Sequence, residues 1–291
     1  MNNRTTWIVC IVLVLIALGF GAWWSRQGPT MPRATAPGAD TSELAAETSA
    51  AAHMRHPIQS ARTTPAPAGS AWPALPSLDA SDAGVVSSLS KLAGQRNLDN
   101  LLVKGNLIQR IVATVDALPR QKLGKNLLPV RRPVGNFTVK HADGTTVIDP
   151  TNFARYEPYM AAVKSADPDT LVSWYVHYYP LFQKAYRQMG YPDAYFNDRV
   201  VEVIDNLLAT PEPNGPVALT RPGVNYHFAN PAYQSLSAGQ KMLLRSGPDN
   251  EAAIKAKLRA IRADLVGRKL PAATASAPAP ATSAAAAAST D

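Results

Sequence analysis

Apolar positions fall into three regimes along this chain. From Trp7 to Trp24 they form an unbroken run, WIVCIVLVLIALGFGAWW. From 26 to 77 they show no period. From about Leu78 to Leu270 they recur every three or four residues, the spacing of one buried helix face.

The periodic part predicts a series of helices. Val85, Val86, Leu89 and Leu92 mark a first helix, capped by Asp79 or Ser81 and stopped at Gly94. A second block runs from about Leu98 to Leu118. Leu107, Ile108, Ile111, Val112, Val115 and Leu118 fall on one side of it, and Pro119 ends it. Phe137-Thr138-Val139 and Thr146-Val147-Ile148 flank Asp143-Gly144, a hairpin signal. So short a hairpin needs helices to pack on. Asp167 and Pro168 open the next helix, and Pro180 either kinks it or splits it at Tyr179. Gly190 closes it. From Ala194 to Leu208, Phe196, Val200, Val203, Ile204 and Leu207 form one stripe. Val217 to Phe228 offers one or two short strands. Ser237 caps a short helix that ends at Gly247, and Pro248 opens the last one. Its narrow seam is Ile254, Leu258, Ile261 and Leu265. Lys255, Lys257, Arg259 and Arg262 lie on its other faces.

Aromatic residues concentrate between Thr151 and Pro213. Eight of the ten tyrosines lie there, with Trp174, Phe153, Phe182 and Phe196. Aromatic rings bury the most area per residue, so this block predicts the core. The fold class expected is mainly α, a helical domain with one small β-hairpin. A single transmembrane helix and a disordered linker precede it. The corresponding boundaries are 1–25 for the anchor, 26–77 for the Pro/Ala-rich linker, 78–270 for the folded domain and 271–291 for an Ala/Pro-rich tail.

The run 7–24 is long enough to span a bilayer as a helix, with Trp7, Trp23 and Trp24 at its ends where indoles prefer the interface. A cleaved signal peptide is the alternative, but no A-x-A site follows the run. Flanking positive charges are nearly balanced. A six-residue tail stays easily in the cytoplasm, which sends the long domain outward. The expected address is the inner membrane, single-pass, with the C-terminal domain in the periplasm. The only cysteine, Cys10, lies within the run, so no intramolecular disulfide and no cysteine-based zinc site is open to this chain.

The charged share, 17%, is low, and the net charge is +8. Between Lys91 and Arg132 nine basic residues face only Asp99 and Asp116. Such a surface suits anionic partners, although a solvated basic face reads the same way. Chemistry is scarcer. No nucleotide-binding, metalloprotease or serine-hydrolase motif occurs. His53 and His56 form an H-x-x-H pair without a helix to hold it, and His141, His177 and His227 are scattered. No metal site, cofactor or specific nucleic-acid binding is expected.

Acidic residues are better organised. Asp198, Glu202 and Asp205 recur along one line, opposite the stripe centred on Val200 and Ile204. They form a candidate interaction face, meeting basic side chains of this chain or of a partner. Tyr178, Tyr179, Tyr191 and Tyr195 form a candidate aromatic rim; the alternative places their rings in the core. The function expected is a non-catalytic module binding an envelope protein or anionic polymer. The alternative is an enzyme acting on a cell-wall glycan, with carboxylates as acid and base and tyrosines stacking on sugars.

Three segments carry a resemblance: NLIQRIVATVDALPR, YPLFQKAYRQMGYPDAYFNDRVVEVIDNLLATPEP and LSAGQKMLLRSGPDNEAAIKAKLRAIR. They closely resemble the bacterial domain of unknown function 3014 family, over about 78–265. The resemblance implies an N-terminally anchored protein of Gram-negative bacteria with a variable linker. It implies no activity, and no catalytic or binding residue carries over.

An uncleaved anchor has a direct consequence. Full-length protein is expected to stay in the membrane through carbonate washing and to keep its N-terminus. A mature N-terminus near Ala22 overturns that expectation.

Overall fold

The computed structural model describes residues 55–58, 74–93, 100–124 and 127–267. The expected anchor at 7–24 and the tail at 271–291 lie outside them. Among the described residues, no helix is long and apolar enough to cross a membrane.

A 3-10 turn, Leu78–Ala80, precedes α1 (Asp82–Ala93) and α2 (Leu107–Ala117). The strands β1 (Val139–Ala142) and β2 (Thr145–Ile148) follow, then α3 (Thr151–Ala154), α4 (Glu157–Ser165), α5 (Pro168–Gln188) and α6 (Phe196–Leu208). Strands β3 (Ala218–Thr220) and β4 (His227–Phe228) lead to α7 (Pro231–Gln234), α8 (Ala238–Ser246) and α9 (Pro248–Gly267). The architecture is mainly helical with one small antiparallel sheet.

Helix α5 lies at the centre, packed on α2 and α9, while α6 packs on α9. Asp167 caps it by accepting the Thr170 amide, and Pro168 fills the first turn. Pro180 sits inside an unbroken helix, a case where burial on both sides overrides a local break. A mid-helix proline costs about 3 kcal/mol. Tyr178, Tyr179, Leu181 and Phe182 around it are all buried and offset that cost. Trp174 is fully buried, and its Nε1 donates to Ser88 Oγ at 2.9 Å. Phe182 and Phe196 stack at 5.9 Å, joining α5 to α6. All five stripe residues of α6 are buried.

The corner between α5 and α6 is closed by one buried amide. Gln183 Oε1 accepts from the Tyr179 hydroxyl at 2.6 Å and from the Phe196 amide at 2.9 Å. Its Nε2 donates to the Ala194 carbonyl at 2.8 Å. An amide can satisfy a helix N-terminus from outside it, and here it does so from the previous helix.

Two expectations are corrected. The second helix begins at Leu107 rather than Leu98. Asn106 takes a left-handed conformation (φ 53°), and the Asp82 carboxylate accepts the amides of Asn106 and Leu107, each at 2.7 Å. That bracket fixes the start of α2 from α1. The single hairpin is also too few: β1-β2-β3-β4 form a four-stranded antiparallel sheet. The hairpin register pairs Ala142 with Thr145 around Asp143 (φ 50°) and Gly144 (φ 74°), the mirror-type turn that Asp-Gly favours. Strand β3 pairs antiparallel with β2, and Leu219, Ile148 and Phe228 pack with Leu244 of α8 as a second small core. The Arg245 guanidinium lies 4.5 Å from the Phe228 ring, and burial pushes its pKa down to about 10.

Lys255, off the apolar seam of α9, is nevertheless buried to 2% exposure. Its Nζ donates to the Thr210 carbonyl at 2.6 Å and to Glu212 at 2.8 Å, and lies 2.8 Å from Glu251. Burial works against the Lys255 charge, but the two carboxylates outweigh it and raise its pKa. Burial raises the Glu251 pKa, and Lys255 only partly reverses this. Lys255→Met therefore leaves a buried carboxylate unpaired, at a cost of about 3–5 kcal/mol at neutral pH. Without the lysine, Glu251 titrates higher still in the fold than in the unfolded chain. Protonation then favours the fold, so the deficit shrinks as pH falls through that raised pKa. Chemical denaturation of variant and parent across pH 5–8 reads this, and a deficit independent of pH contradicts it.

Candidate functional site

Helix α6 carries the acidic line, and each member has a partner within the chain. Asp198 accepts the backbone amides of Arg55 at 3.0 Å and His56 at 2.6 Å. Glu202 pairs with Arg199 on its own helix at 2.9 Å. Asp205 receives Nε and Nη2 of Arg262 from α9, a bidentate contact. Burial works against the Arg199 charge, yet Glu202 and Asp116 hold its pKa above the usual value. Arg199 also reaches across to α2, where Asp116, only 4% exposed, accepts its Nε at 3.1 Å. Arg120 closes on the same carboxylate.

The four tyrosines separate into two pairs. Tyr178 and Tyr179 are buried in the core, so they form no rim. Desolvation first, then the neighbouring Tyr175 and Tyr195, raises the Tyr179 pKa. Tyr191 and Tyr195 are half-buried beside α6. Tyr191 stacks on Tyr186 at 4.6 Å, and burial together with Asp116 pushes Tyr186 up to about 12. The Tyr195 hydroxyl accepts the Ile58 amide at 2.6 Å.

Segment 55–58 falls in the stretch read as linker, yet here it is seated against α6. Asn197 Nδ2 donates to the His56 carbonyl at 2.9 Å, and Ile58, 8% exposed, joins the main core. Rim and acidic line thus meet at the N-terminal end of α6, around a piece of the chain itself.

A second surface had no forecast. The hexapeptides Arg132–Phe137 and Arg221–Tyr226 read R-P-V-G-N-F and R-P-G-V-N-Y. Their final rings meet at 6.0 Å, so the two loops adjoin. Val134 is 91% exposed and Val224 is 63% exposed, two of the four exposed large hydrophobics among the described residues. Arg155 donates to the Val134 carbonyl at 3.2 Å and to the Gly135 carbonyl at 2.8 Å. Tyr159 donates to the Arg131 carbonyl at 3.0 Å. The first loop is thus braced, with its valine held out. Arg221 lies 5.2 Å from the Tyr226 ring, and Arg131 and Arg132 are exposed beside Val134. The repeated R-P-x-x-N-aromatic pattern is the sequence signal that finds this surface.

His141 lies on β1, His177 on α5 and His227 on β4. His141 Nδ1 and Thr146 Oγ1 lie 3.1 Å apart on the hairpin, and burial lowers the His177 pKa. Among the described residues, no group of three His, Cys, Asp or Glu is placed to hold a metal ion.

A family model described as "Protein of unknown function (DUF3014)" matches residues 107–262. No curated protein and no solved structure matches the chain.

Replacing the acidic line by Asp198→Asn, Glu202→Gln and Asp205→Asn removes two ion pairs and weakens the two amide contacts of Asp198. The triple variant is expected to lose about 1–2 kcal/mol at low ionic strength and less at high salt. A melt identical to the parent at low salt marks the line as ordinary surface.

Proposed function

Since the chain belongs to the DUF3014 family, whose description names no activity, we propose from its own surface that it is a non-catalytic interaction module. Its partner is an anionic envelope protein or polymer, met through the adjoining loops Arg131–Phe137 and Arg221–Tyr226. One observation carries this reading: two exposed valines stand on adjoining loops, the first of them braced, among Arg131, Arg132 and Arg221. Single exposed apolar residues are ordinary, but two on adjoining loops that also carry three exposed arginines make a recognition pattern. The apolar tips favour a partner with apolar surface of its own, and the arginines favour one carrying carboxylate or phosphate.

The glycan-enzyme alternative rests on the same carboxylates and tyrosines. Asp198, Glu202 and Asp205 are engaged with amides and arginines, and Tyr178 and Tyr179 with the core. These engagements favour the interaction reading. In this proposal the 7–24 run tethers the module to the inner membrane, with the domain in the periplasm.

A photo-crosslinking residue at position 134 or 224 is expected to give a discrete adduct in intact cells, and one at exposed Lys184 none. Arg131→Gln, Arg132→Gln and Arg221→Gln together should abolish the adduct while shifting stability by less than about 0.5 kcal/mol per site. Failure to crosslink at either valine, or adducts indifferent to the arginines, overturns the proposal.

A further inference from the structure

The N-terminal end of α6 holds segment 55–58 almost wholly through its backbone. The amides of Arg55 and His56 go to the two oxygens of Asp198, at 3.0 and 2.6 Å. The His56 carbonyl accepts from Asn197 Nδ2 at 2.9 Å, and the Ile58 amide goes to the Tyr195 hydroxyl at 2.6 Å. Pro57 has no amide hydrogen to offer. Every main-chain donor of the segment is therefore used, and a single apolar side chain, Ile58, is buried. Backbone bonds supply the grip and one pocket supplies the choice of side chain, the division of labour of peptide-recognition sites. Proline also restricts itself and the residue before it to extended conformations, which lowers the ordering cost.

The seated segment leaves hydrogen-bonding capacity unspent. Asn197 is fully buried, yet its Oδ1 has no partner among the described residues. The hydroxyl of Tyr175, whose ring lies 6.5 Å from that of Phe196 at the start of α6, is likewise buried and has no partner among the described residues. A buried unpaired acceptor costs free energy, and a ligand that brings a donor to it binds better than one that does not. The chain's own segment is thus an incomplete fit.

We propose that this end of α6 is a peptide-binding site, and that an extended segment of a partner protein, of the form x-x-Pro-aliphatic, displaces residues 55–58 from it. The site is separate from the Val134 and Val224 surface, and neither proposal depends on the other.

The probe is a labelled synthetic peptide spanning 52–61 of this sequence, added to the full-length chain in mild detergent. The chain's own segment competes at an effective concentration on the order of millimolar. Half-saturation is therefore expected to be at least about tenfold higher for the parent than for Ile58→Asp, in which the pocket is vacated. Adding Asp198→Ala to Ile58→Asp should abolish binding. A peptide carrying aspartate in place of its isoleucine should not bind at all. Hydrogen exchange on the parent covers the case in which Ile58→Asp impairs folding. There, excess peptide should speed exchange at the amides of 55, 56 and 58 and leave those of α5 unchanged. Exchange unmoved by the peptide overturns the proposal. So does binding that ignores Asp198, or binding of the aspartate peptide. Exchange of 55–58 between two copies, seen as concentration-dependent dimers, also overturns it, since the occupant is then a second copy.

Discussion

The amide of Gln183 is the contact on which the candidate site depends. It accepts from Tyr179 and from the first amide of α6, and it donates to Ala194 just before that helix. At 8% exposure its one amide supplies both the donor and the two acceptor directions that join the helices here. The path of the chain from α5 into α6 follows from it, and so does the placement of Tyr195, Asn197 and Asp198. The aromatic packing of α5 then supplies the mass that keeps this corner dry. Trp174, Tyr175, Phe182 and Phe196 contact one another in a continuous chain. In so apolar a setting each hydrogen bond of Gln183 is costly to lose.

Periodicity made much of the helical frame legible. The stripe on α6, the cap at Asp167, the Asp-Gly hairpin and the seam on α9 all come from local rules, and local rules can be read along a chain. What was not legible depends on residues far apart. The start of α2 is fixed by Asp82, which lies 24 positions before Asn106. Lys255 looks like any lysine on a helix, until Thr210 and Glu212 arrive from the end of α6 to receive it. Pro180 signals a kink or a split, and only the burial of its neighbours shows why the helix is not split.

The site was legible in part. The acidic line was seen, and basic groups do meet it, but the partner of Asp198 is backbone rather than a side chain. Backbone amides leave no mark in a sequence, so no composition or charge pattern announces segment 55–58. Two of the four rim tyrosines, Tyr178 and Tyr179, are lost to the core for a simpler reason. Ring-bearing residues one turn apart on a central helix face inward, and a hydroxyl buried with a partner looks in sequence like one at a surface. The paired loops went unread because a hexapeptide repeat is too short to stand out among prolines and glycines.

The seat of 55–58 also has a mechanical meaning. Among the described residues, a pull on the chain from its N-terminal side reaches Arg55 before the turn Leu78–Ala80. The bonds to Asp198, Asn197 and Tyr195 take that load together, and the helical core takes none until they part. When they do part, the load passes to Leu75 and Leu78, which pack on the main core. The contact acts as a force-limited catch, set by four hydrogen bonds and one isoleucine.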